Sequence, residues 1–201
     1  DALPIKTFQS FEVDPLAGIT GTLAKLEDTD EEIWIQMLVR PVADDWHKAA
    51  TSWTKSVKNG TSQLFGGGDF SMKWLAGLLG ALWNPPEQGA GASGTVREVS
   101  ERDKTRMAEA EKKATKLGYQ TKIRVAYLGE STANAKLRMQ GIVGTFKQYN
   151  STNLNGFKMA NESFKKEDLA KYKARLFADR GYLLNIEEVA SVFHLPHTNV
   201  E

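Results

Sequence analysis

Apolar and polar residues alternate most regularly between Glu32 and Val42. Ile33, Ile35, Met37 and Val39 fall on one side of an extended chain, and Trp34, Gln36, Leu38 and Arg40 on the other. β-branched and aromatic residues dominate the run, and Pro41 sits near its end, where a missing N–H is tolerated. The pattern predicts a central strand whose apolar face meets helices and whose mixed face is open to solvent or to a partner. Residues 119–128 alternate in the same way, with Ile123, Val125 and Tyr127 on one side and Lys122, Arg124 and Ala126 on the other. Two shorter runs complete the predicted strands: 6–13, aromatic and β-branched, and 156–160, read as an edge.

The remaining apolar positions recur at helical spacing. Asp14-Pro15 predicts a helix start, with Asp as cap and Pro in the first turn, followed by Leu16, Ile19, Leu23 and Leu26 on one face. Gly18 and Gly21 lie within it and allow close approach to a sheet. Trp46, Ala49, Ala50, Trp53 and Val57 mark a second helix. From 95 to 117 a thin stripe of Val96, Val99, Met107, Ala110, Ala114 and Leu117 runs between charges of both signs. It predicts a solvent-bridging helix or half of a helical hairpin, closed by Gly118. Ala135, Met139, Ile142, Val143, Phe146 and Tyr149 predict another helix, and Leu169, Tyr172 and Leu176 one more, ending at Arg180-Gly181. Near the C-terminus Asn185 and Glu188 have the spacing of a capping box. Val189, Val192 and Phe193 form the apolar face of a short helix that stops before Pro196.

With residues 43–118 set aside, the order is strand, helix, strand, strand, helix, strand. That is the order of the ferredoxin-like split βαβ unit. The predicted fold is therefore α+β: a ferredoxin-like sheet with a long helical insertion between its second and third strands, plus C-terminal helices. Residues 1–42 and 119–163 form the core in this division, 43–118 the insertion, and 164–201 the C-terminal helices.

Composition narrows the chemistry. Cysteine is absent from the 201 residues, which removes disulfides, thiolate metal sites and cysteine nucleophiles and fits a reducing compartment. Net charge is +1, yet residues 120–180 carry twelve Lys and Arg against five Asp and Glu. Lys122, Arg124, Lys136 and Arg138 are the candidate nucleic-acid contacts of that segment. A solvated, lysine-rich surface accounts for the same charge, since no aromatic residues interleave for base stacking. Gly66-Gly67-Gly68 is not a phosphate loop, because no Gly-Lys-Ser/Thr follows. His47, His194 and His197 have no partners at a catalytic spacing, and His194 is read as a packed, hydrogen-bonded group. No catalytic residue, cofactor or metal ligand is expected. Between Met72 and Trp83 the chain is apolar almost all round, and Trp74, Leu75, Leu78, Leu79, Leu82 and Trp83 are the candidate contacts to a partner or a membrane. The stretch is too short to span a bilayer, and Lys73 alone does not make the cationic face of an interfacial helix. Burial on neighbouring elements or on another subunit accounts for it equally.

The C-terminal run Leu-Asn-x-Glu-Glu-Val-Ala-x-Val-Phe-His-Leu-Pro, from Leu184 to Pro196, resembles the segment just ahead of the ATPase core in type IV secretion and conjugative DNA-transfer ATPases. Those are hexameric P-loop DNA translocases of bacteria. Phe11-Glu12-Val13-Asp14-Pro15-Leu16 and Val39-Arg40-Pro41 resemble the N-terminal region of the same proteins. The resemblance implies a non-catalytic N-terminal accessory domain that assembles the motor or docks it on its channel. The implied partners are other subunits of the hexamer or the secretion channel, a membrane surface, and DNA through the full-length protein. The implied location is the cytoplasm, at the inner face of the cytoplasmic membrane. No Walker A loop occurs in these residues, so ATP and Mg are expected only in a domain downstream of Glu201, and the sequence is read as a segment of a longer protein. The alternative is a freestanding ferredoxin-like module that binds nucleic acid or protein.

Overall fold

The computed structural model describes residues 2–26, 30–43, 45–58, 99–129, 132–160 and 165–195. The architecture is α+β. Three antiparallel strands, β1 (Glu32–Pro41), β2 (Gly118–Leu128) and β3 (Tyr182–Asn185), form one sheet in that order. Glu32 lies opposite Leu128 and Pro41 opposite Tyr119, while Gly118 lies opposite Asn185 and Thr121 opposite Tyr182. β2 is thus the central strand. The run from Glu32, expected at the centre, is an edge. Six described helices accompany the sheet: α1 (Leu16–Leu23), α2 (Asp45–Lys58), α3 (Glu101–Ala114), α4 (Thr132–Phe146), α5 (Lys166–Lys173) and α6 (Ile186–Val192).

Two of the four strands required for a ferredoxin-like sheet are not strands. In 6–13 the backbone makes a 3-10 turn at Phe8–Ser10. N–H groups in this run and just before it are spent elsewhere: Ile5 donates to the Glu188 carboxylate at 2.7 Å, Lys6 to the Tyr149 carbonyl at 2.9 Å, and Phe8 to Ser191 Oγ at 2.8 Å. Donors captured in this way, by side chains or by a carbonyl outside the sheet, are lost to a ladder. Residues 156–160 are irregular for the same reason. The Asn150 side chain brackets Phe157, accepting from its N–H at 2.6 Å and donating to its carbonyl. The third strand comes instead from Tyr182–Asn185, a run for which the sequence pattern predicts no strand.

The core lies between one face of the sheet and the helices α1 and α4. Ile19, Ile142, Phe146 and Tyr149 are buried there with Ile5, Leu184 and Val192, and Ile33, Met37, Ile123 and Val125 pack against them from the sheet. Ile35 and Val39 share the face of Ile33 but are 36% and 44% exposed. Asp14 opens α1 largely as expected, its carboxylate accepting from Leu16 N–H at 2.8 Å. Gly18 faces Thr145 of α4 rather than the sheet, and nothing approaches Gly21.

The second face of the sheet is not open. The segment from α5 to residue 179 crosses it. Trp34 packs beside Tyr172 with ring centroids 6.1 Å apart, Gln36 donates to the Tyr172 carbonyl at 3.1 Å, and the Arg40 guanidinium lies 4.4 Å from the Phe177 ring. α5 ends earlier than its apolar spacing predicts, because Arg175 turns into the left-handed region at φ 52, as does Asp179 at φ 60.

α2 and α3, which lie between β1 and β2 in the sequence, pack against each other. Trp46, Ala50 and Thr54 of α2 and Met107, Ala110 and Lys113 of α3 are buried, whereas Leu117 is exposed. His47 donates through Nδ1 to the Ala114 carbonyl. Gly118 is required where β2 starts beside Trp46 of α2. A Cβ there would stand 2.6 Å from Trp46 Nε1. The second half of the 43–118 segment therefore reaches the core through Lys113.

Tyr149 sits at the centre of an aromatic cluster, edge-on to Phe11 and Phe157 at 5.3 and 5.8 Å, with its hydroxyl donating to the Ser191 carbonyl at 3.0 Å. Burial raises its pKa well above the usual tyrosine value, and the Asp14 charge adds to the shift. With the folded value raised, the stabilisation is complete below about pH 10 and is lost as pH rises beyond it, because the unfolded chain releases this proton first. Tyr149→Phe is expected to cost about 1 kcal/mol at neutral pH through the lost hydrogen bond. That deficit should narrow in urea melts taken above pH 10; a deficit constant with pH would refute the assignment.

Candidate functional site

The strongest polar constellation is a buried knot where four chain segments meet. α3 presents Lys113 because Met107, Ala110 and Lys113 recur at three-residue spacing on its inward face. α6 presents Glu188 because its first turn is held by a capping box. Asn185 Oδ1 accepts from Glu188 N–H at 2.8 Å, and Glu188 Oε2 accepts from Asn185 N–H at 2.7 Å. The Lys113 ammonium and the Glu188 carboxylate approach to 3.0 Å with both side chains fully buried.

Every valence in the knot is used. Lys113 Nζ donates to the carbonyls of Leu3 at 3.2 Å and Leu183 at 3.0 Å as well as to Glu188. Three donors meet three acceptor groups. Glu188 Oε1 also accepts from Ile5 N–H. Burial pulls the Lys113 ammonium below the usual lysine range, and the adjacent carboxylate opposes that pull. Around the knot, Ser191 Oγ donates to the Glu187 carbonyl at 2.6 Å while accepting from Phe8, and Lys116 pairs with Glu187 at 2.7 Å near the surface. Such an arrangement positions chain segments. It presents no unsatisfied group to a substrate.

His194 follows α6. Its Nδ1 donates to the Ala190 carbonyl at 3.2 Å and its Nε2 meets Asp14 Oδ1 at 3.0 Å. It is the packed, hydrogen-bonded group read from the sequence, and it ties the end of α6 to the start of α1. Phe193, expected on the apolar face of that helix, is instead 66% exposed, because the chain leaves helical geometry there at φ −137. Leu195 is 86% exposed.

The four basic candidates separate into two groups. Lys122 donates to the Ala178 carbonyl, and Arg124 donates to the carbonyls of Leu176 at 2.7 Å and Lys171 at 3.4 Å. Both are used to hold the segment that covers the sheet. Arg138 pairs with Glu31 at 3.3 Å. The Tyr127 hydroxyl, donating at 2.6 Å, lowers the Glu31 pKa most, with the Arg138 charge and Asn134 contributing. Lys136 is exposed. The structure therefore does not gather these four side chains into one surface. Trp74, Leu75, Leu78, Leu79, Leu82, Trp83 and His197 lie outside the described residues. Among the described residues, no three His, Asp or Glu side chains come together as a metal site, and no helix is long and apolar enough to cross a membrane.

Sequence reasoning found Glu188 through its capping box but placed Lys113 among the solvated charges of α3. The available signal was its three-residue interval from Ala110. Lys113→Met and Glu188→Gln are each expected to lower stability by about 3–5 kcal/mol, since each strands a buried partner. The double variant should fall well short of the sum in urea melts. Strict additivity would show that the two groups do not act as a pair.

The family model described as "Domain of unknown function (DUF8128)" matches residues 1–201. No curated protein matches the chain, and no solved structure does. The match extends over the whole sequence, and the chain belongs to the DUF8128 family.

Proposed function

We propose that this chain is a non-catalytic assembly or docking domain of a type IV secretion or conjugative DNA-translocating ATPase. One observation carries the reading. The segment that resembles the approach to the ATPase core, described from Leu184 to Leu195, is a helix capped by Asn185 whose Glu188 and Ser191 lock it to the N-terminal segment by accepting from Ile5 and Phe8. Beyond that lock, Phe193 and Leu195 are presented outward. A rigid mount ending in exposed apolar side chains suits a domain that fixes how a motor core sits relative to its surroundings. The reading keeps the α+β scaffold and needs no ferredoxin-like strand order. ATP and Mg belong to the motor core in this reading, and the site is cytoplasmic, at the inner face of the membrane. Trp74, Leu75, Leu78, Leu79, Leu82 and Trp83 are the proposed contact with a neighbouring subunit, the channel or the membrane surface.

The purified chain is expected to show no ATP turnover. A photo-cross-linking residue at position 195 in the native cell is expected to capture a Walker A-containing ATPase core, on the same polypeptide or another, identified by mass spectrometry. Phe193→Ser in the chain that carries the cross-linker should lower that capture about tenfold while leaving the melting temperature unchanged. Cross-links that never include a P-loop ATPase would overturn the reading.

A further inference from the structure

β1 is an edge strand of ten residues, and among the described residues no strand pairs with its outer side. Its pairing with β2 continues without a bulge from Glu32 to Pro41. An edge of this length displays a row of unpaired N–H and C=O groups. Proteins commonly guard such edges with central charges, bulges or proline. In β1 the charges stand only at the two ends, Glu32 and Arg40, and the proline comes after them.

The sequence of this edge is its own complement. Antiparallel pairing of two identical strands about an axis normal to the sheet keeps like faces together, so the axis must fall on a residue. With the axis on Gln36, Glu32 faces Arg40 of the second copy and Arg40 faces its Glu32. Ile33 then faces Val39, Trp34 faces Leu38, Ile35 faces Met37, and Gln36 faces itself. Each opposed pair matches apolar with apolar, amide with amide, or opposite charges, the combinations that stabilise directly opposed cross-strand positions. Neighbouring registers lose the match. An axis on Met37 sets Arg40 against Trp34, and one on Ile35 sets Glu32 against Leu38 and Glu31 against Val39.

We propose that two copies of this chain associate through antiparallel β1–β1 pairing centred on Gln36, which extends the three-stranded sheet into a six-stranded one across a two-fold axis. Ile35 and Val39, exposed on the isolated edge, gain Met37 and Ile33 of the second copy as neighbours. Pro41, with no N–H to donate, ends the ladder just beyond the Arg40 pair. The proposal does not depend on the ATPase reading.

Sedimentation velocity on the full 201-residue chain over a range of concentrations tests it. The wild type is expected to show a monomer–dimer equilibrium. Arg40→Glu sets two carboxylates against each other at both ends of the ladder, and Glu32→Arg does the same with two cations. Each alone should weaken association by about tenfold or more. An equimolar mixture of the two variants restores opposite charges at both ends and should dimerise as the wild type does, which also shows that both are folded. Ile35→Lys, a charge in the middle of the ladder, should abolish the dimer while the melting temperature holds. A wild type that stays monomeric, a dimer indifferent to both charge reversals, or a mixture no tighter than either variant alone would each overturn the proposal.

Discussion

The ion pair between Lys113 and Glu188 is the constraint on which the rest of the arrangement depends. Two ions removed from water cost several kcal/mol each, and their attraction offsets this only when the remaining hydrogen-bonding capacity is also filled. Here it is filled by backbone: Leu3 and Leu183 carbonyls on the lysine, Ile5 and Asn185 N–H groups on the carboxylate. The pair therefore does more than join α3 to α6. It specifies where the N-terminal segment runs and where β3 ends, because a shift in either leaves a buried charge short of a partner. Apolar packing tolerates sliding and repacking; a saturated buried charge does so far less.

The same economy governs the second face of the sheet. Trp34, Gln36 and Arg40 could have met solvent, and the excess of cations between 120 and 180 could have formed a continuous binding surface. Lys122 and Arg124 instead donate to carbonyls at the end of α5 and in the irregular residues that follow it, Lys171, Leu176 and Ala178. A lysine or arginine stem laid over a sheet buries its methylenes while its head satisfies backbone. Net positive charge in a sequence thus overstates the charge on offer to a ligand when the adjoining loops lack donors of their own. Arg138, held by Glu31, is a second instance.

Much of the fold was legible where one local rule dominated. The alternation of 119–128, the spacing of Ile142, Phe146 and Tyr149, the start of α1 at Asp14 and the capping box at Asn185 all appear as read, because each depends on neighbours within a few residues. Errors arose where distant partners decided the outcome. Residues 6–13 have the composition of a strand, but Tyr149 and Ser191 take the donors of Lys6 and Phe8, Glu188 takes that of Ile5 just before them, and none of the three is near in sequence. Tyr182–Asn185 became a strand because β2 offered a free edge there. Lys113 was passed over despite its three-residue interval from Ala110, because a lysine on a charged helix is ordinarily solvated and its acceptors lie on three other segments. Of the candidate contacts, Lys122 and Arg124 were identified as one face of a strand, which they are; what covered that face was not visible in the pattern.

The contacts that close the domain span nearly its whole length. Ile5 to Glu188 and Phe8 to Ser191 are each 183 residues apart, and Asp14 to His194 is 180. Closing a long loop costs only slightly more free energy than closing a short one, so this distance weighs little on stability. It weighs on kinetics, since contacts of high sequence separation form late. Until α6 arrives, the Lys113 ammonium has no carboxylate and the N-terminal segment has no acceptor at Ile5. α6 is thus an element that completes the core rather than an appendage on it. A helix in that role cannot swing independently of the domain. Whatever contacts Phe193 and Leu195 is therefore coupled directly to the N-terminal segment and, through α3, to α2.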